Sequence, residues 1–84
     1  MTKQERDAWA VGYRIYDEYA PKLRQAALSD DNELANDIFY TISSRISASY
    51  NGSDKGGQLV LLGVYDILGN VFEEERKSKL IASA

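Results

Sequence analysis

The sequence predicts an all-α fold, a three-helix bundle, on three observations. Apolar residues recur at three- and four-residue steps in three separate stretches. Two polar, turn-forming breaks divide those stretches, Ser29-Asp30-Asp31-Asn32 and Asn51-Gly52-Ser53-Asp54-Lys55-Gly56-Gly57. The breaks are short, and short connections join antiparallel neighbours. The expected helices cover about 3–27, kinked near Pro21, then 30–50 and 55–78. All 84 residues form one domain, with 79–84 frayed.

The first helix carries Trp9, Tyr13, Tyr16, Ala20, Leu23 and Ala27 at steps of 4, 3, 4, 3 and 4, a heptad-like seam expected to face the core. Thr2 suits the cap and Glu5 completes a capping box. Pro21 has no N–H to donate and its ring opposes the carbonyl four residues back. The seam continues in phase beyond it, which favours a kink over a break.

The second helix opens at Asp30 as cap, with Glu33 three residues on. Leu34, Ala35, Ile38, Phe39, Ile42, Ile46 and Tyr50 fall in an arc of roughly 160°. Residues 41–50, TISSRISASY, are mediocre helix formers. With Asn51-Gly52 after them they leave an alternative, an α+β fold with a hairpin at that dipeptide. In the helical reading Gly52 takes the left-handed position after the helix.

The third helix is the most apolar stretch, with Ser53 or Asp54 as cap. Leu61, Val64, Tyr65, Leu68, Val71 and Phe72 make its core stripe, widened by Val60 and Ile67. Leu59 and Leu62 fall outside the stripe, on a flank shared with Asp66, Gly69 and Glu73. The pairs Glu73–Lys77 and Glu75–Lys79 have the favoured four-residue orientation. Leu80 and Ile81 lie off the stripe.

Composition narrows the function. The chain has 44% hydrophobic and 27% charged residues, as a folded domain does, and a net charge of −3. It has no cysteine and no histidine, so disulfides, thiolate metal sites and the usual neutral-pH base are excluded. The charged start MTKQERDAW is no secretory signal, and no apolar run approaches a membrane span. A cytoplasmic protein without a membrane contact, a cofactor or a metal is expected. Carboxylates form no acid/base pair, and Asp30-Asp31-Asn32-Glu33 lacks the glycine and spacing of a calcium loop. No catalytic residue is identified.

The surplus apolar flank points to a non-catalytic protein-interaction module that self-associates through its third helix. Its expected interface is Leu59, Leu62, Asp66 and Gly69, with Tyr19 and Tyr40 as exposed aromatic anchors. The size suits a small regulator or inhibitor of the kind phages and mobile elements encode. Trp9 is expected as a core anchor, and Gly12, Gly63 and Gly69 as points of close helix approach or as tolerated drift. An alternative is a small-ligand or nucleotide binder using Lys55, Gly56 and Gly57 before the third helix, with Tyr/Arg stacking at Arg45. The GxxxxGK[ST] spacing of a phosphate loop is missing, and a plain interhelix connection explains those glycines as well. Nucleic-acid binding through Arg6, Arg14, Lys22 and Arg24 ranks lower, because Asp7, Asp17 and Glu18 are interleaved.

Overall fold

A computed structural model describes residues 3–83, with side chains as far as Ile81. It holds three helices and, among the described residues, no strand: α1 (Lys3–Leu28), α2 (Asn32–Tyr50) and α3 (Lys55–Ser83). The Thr2 cap lies outside the described residues. The hairpin alternative is set aside, since residues 41–50 are helical throughout. Helix α3 is five residues longer than expected and carries Leu80 and Ile81 as exposed side chains.

Helix α1 is unbroken across Pro21. The carbonyl of Asp17 loses its helical donor there, but both residues are exposed and water can serve it. Helices α1 and α3 run parallel: Gln4 accepts the Asp54 N–H at one end, and Gly12 faces Val64 further along. Helix α2 runs antiparallel to both, with Arg45 reaching Glu18 and Phe39 meeting Tyr65 and Phe72. The α1–α3 pairing is the most extensive, and α2 packs more against α1 than against α3.

One core joins the three helices, centred on Ile15, Leu23, Ile42, Leu61 and Leu68. Helices α2 and α3 bury the residues their spacing indicates: Ala35, Ile38, Ile42 and Ile46, then Leu61, Val64, Leu68 and Phe72. Leu34 and Ile67, expected inside, are 42% and 44% exposed.

The inward face of α1 is a correction. The aromatic seam does not lead into the core: Tyr13 is 62% exposed, and Trp9 and Tyr16 are half-buried. The buried line begins one residue earlier, at Ala8, Gly12, Ile15 and Tyr19, and is joined in the second half by Ala20, Leu23 and Ala27 of the expected seam and by Ala26. Small residues explain the shift. Val64 comes so near Gly12 that a Cβ there would lie 2.6 Å from its Cγ2. An aromatic ring cannot occupy that contact, so the rings move to the shoulder.

Asp30 and Gly52 do not play their expected capping parts, whereas Asp54 does. Asp30 does not cap α2. It closes α1 in the left-handed region, φ 54°, while Asp31 N–H bonds Ala26 O and Asp30 N–H bonds Ala27 O, the paired bonds of a Schellman ending. Asp31 is the cap of α2, its carboxylate accepting the Leu34 N–H at 3.0 Å. Gly52 is not left-handed. The chain leaves α2 through a right-handed Asn51, with tight bonds from Gly52 and Ser53 back to Ser49 and Tyr50. Asp54 caps α3 by accepting the Gly57 N–H at 2.8 Å.

Candidate interaction surface

Helix α3 presents a second seam. Lys55, Leu59, Leu62, Asp66, Gly69 and Glu73 follow one another at steps of 4, 3, 4, 3 and 4. At 100° per residue they share an arc of about 80°, centred roughly 120° from the core line of Leu61, Leu68 and Phe72. Leu59 is 62% exposed and Leu62 48%. Nothing lies within 4 Å of where a Cβ on Gly69 would stand. The seam borders an open cleft of about 450 Å³ between α2 and α3, lined by Asn36, Phe39, Tyr65, Asn70 and Phe72 together with Asp66, Gly69 and Glu73. Tyr40, on α2, is 76% exposed, as an interface anchor would be.

Tyr19, paired with Tyr40 in the sequence reading, is a correction. It is 7% exposed and belongs to the core. Its hydroxyl accepts a hydrogen bond from Arg45 at 3.3 Å. The Arg45 guanidinium and the Lys22 ammonium sit 5.5 and 5.2 Å from its ring centre. Arg45 also pairs with Glu18. That hydrogen bond from Arg45 lowers the Glu18 pKa, and the Tyr19 hydroxyl followed by Glu18 raises that of Arg45. The tyrosine–arginine contact thus lies within one chain.

The residues of the alternative ligand site are dispersed. Gly57 is buried and its N–H is taken by Asp54. Gly56 faces the Glu5 carboxylate, whose Oε1 would lie 2.7 Å from an added Cβ. An anion at this helix start would meet a resident acid. Arg45 is elsewhere: its partner Glu18 stands thirteen residues beyond Glu5 on α1, about 20 Å along the helix. Arg6, Arg14, Lys22 and Arg24 are all exposed but spread over roughly 160° of α1 rather than forming a strip. Arg24 donates to the Tyr16 hydroxyl at 3.4 Å.

A second apolar surface escaped the sequence reading. The shoulder aromatics Trp9, Tyr13 and Tyr16, with Val64 and Ile67, wall an open groove of about 300 Å³ floored by Gly12. Trp9 and Tyr13 lie side by side, their rings tilted by 30° with centres 5.5 Å apart. The one available signal was the line of small residues beside the aromatic line. Among the described residues no polar or charged residue is buried and no acidic cluster could hold a metal ion. No helix of the described residues is long and apolar enough to cross a membrane. Comparison with protein-family models, curated proteins and solved structures finds no match to this chain.

Proposed function

We propose that this chain is a non-catalytic protein-interaction module that associates with a second copy of itself through α3. The observation that supports it is Leu59 and Leu62 exposed at 62% and 48% on a helix whose core stripe is already complete. Burying exposed apolar surface is the main driving force for association, and a large apolar side chain gains roughly 1.5–3 kcal/mol on full burial. The molecule is also elongated, 47 Å along its longest axis. The radius of gyration is 14.0 Å, against about 12 Å for a compact chain of this length. The solvent-accessible surface is 5533 Å², against roughly 5,000 Å² for an ordinary monomer of this mass.

A role as a small cytoplasmic regulator or inhibitor fits a domain of this kind. Light scattering at micromolar concentration tests self-association: the expected mass is twice that of the chain, and Leu62→Glu returns it to one. A wild-type chain that stays monomeric ends the proposal. The nucleotide reading loses support from the geometry, because the Gly57 N–H and the Arg45 guanidinium both have partners within the chain.

A further inference from the structure

Resting on the self-association reading, we infer that the two copies pair α3 against α3 antiparallel, in a single register centred on Val64. The second seam is complementary to its own reverse. Turned end for end about that centre, Lys55 faces Glu73 of the other copy, Leu59 faces Gly69, and Leu62 faces Asp66. These are the cross-layers of an antiparallel helix pair with a heptad seam. A two-fold axis repeats each of them, as an isologous interface requires.

Charge selects the direction. A parallel pair would stack Lys55 on Lys55, Asp66 on Asp66 and Glu73 on Glu73. The antiparallel pair replaces two of those repulsions with two Lys55–Glu73 attractions, one at each end of a contact about 27 Å long. Both residues are exposed, and neither has an ion-pair partner among the described residues.

Shape selects the register. Glycine inside a helix weakens it, and Gly69 gains no close contact within one chain. A second chain supplies one: Leu59, 62% exposed, becomes the knob that fills the space above Gly69. The α2–α3 cleft beside Gly69 leaves room for it. Asp66 across from Leu62 is the weakest layer, its carboxylate turned to the rim, and Asp66→Leu should tighten the pair.

The absence of cysteine gives a clean cross-linking test. In the double variant Leu59→Cys, Gly69→Cys, mild oxidation should yield a covalent dimer on a non-reducing gel. The two sulfurs of one chain stand about 15 Å apart along the helix, too far to bridge. Leu59→Cys alone should give none, because the two copies of position 59 lie about 15 Å apart in this register. Lys55→Glu or Glu73→Lys should each weaken association roughly tenfold, and the combined charge reversal should restore it. Cross-linking by Leu59→Cys alone would show a parallel pair and overturn the register. So would an uncross-linked double variant in a chain that light scattering finds dimeric. A monomeric wild type would remove the association itself, and this register with it.

Discussion

Replacing Gly12 with alanine should destabilise the protein, although alanine is the better helix former. The gain in helix propensity is about 1 kcal/mol. Against it stands the new Cβ, 2.6 Å from Val64 Cγ2 and 3.6 Å from Val64 Cβ. Val64 is 4% exposed and β-branched, so its rotamer in a helix is nearly locked. Overpacking of this kind costs about 1–3 kcal/mol, leaving a net loss near 1 kcal/mol. Gly63→Ala is the internal control: open space surrounds that position, so the propensity gain of about 1 kcal/mol stands alone. The two variants should therefore melt about 10 °C apart, at 4–8 °C per kcal/mol for a domain of this size. Urea and thermal unfolding followed by helical circular dichroism and by Trp9 fluorescence measure both. Val64→Ala alone costs core packing, but adding Gly12→Ala to it should recover the propensity gain, with a coupling of at least about 1 kcal/mol. Gly12→Ala stabilising as much as Gly63→Ala would refute the argument that small residues set the α1–α3 distance.

The two aspartates between α1 and α2 should respond in opposite directions. Asp30→Gly relieves a left-handed backbone and should stabilise by roughly 0.5–1 kcal/mol, whereas Asp31→Ala removes the α2 cap and should cost about 1 kcal/mol; chemical unfolding of both variants decides it, and the reverse order would return the cap to Asp30. The Glu18–Arg45 pair predicts an acid-side effect. Because the folded carboxyl titrates below its ordinary value of 4.5, its contribution is present in full above that value and is lost as the pH falls through the lower, folded one. Stability measured from neutral to acid pH should fall less steeply in Glu18→Gln than in the wild type, by a small margin because both partners are solvated; parallel curves would show that the pair contributes nothing.

Number, order and approximate extent of the helices were legible in the amino acids alone. Three periodic stretches and two polar breaks leave little alternative, and most of the inward faces of α2 and α3 follow because one line of large aliphatic residues is the most continuous on each, Leu34 and Ile67 at its margins turning outward. The exposed flank of α3 was legible for the same reason: once Leu61, Val64, Leu68 and Phe72 claim the core, Leu59 and Leu62 must point elsewhere. Only the tertiary structure decided the phase of α1. There a line of aromatics and a line of small residues run side by side, and one residue's shift turns a helix by about 100°. Hydrophobicity favours the aromatics, but distance decides. Two parallel helices approach most closely over glycine and alanine, and the rings that looked like core became the walls of a groove. The same turn carried Tyr19 inward and set Arg45 beside it, a pairing between residues 26 positions apart in the chain that no local pattern encodes.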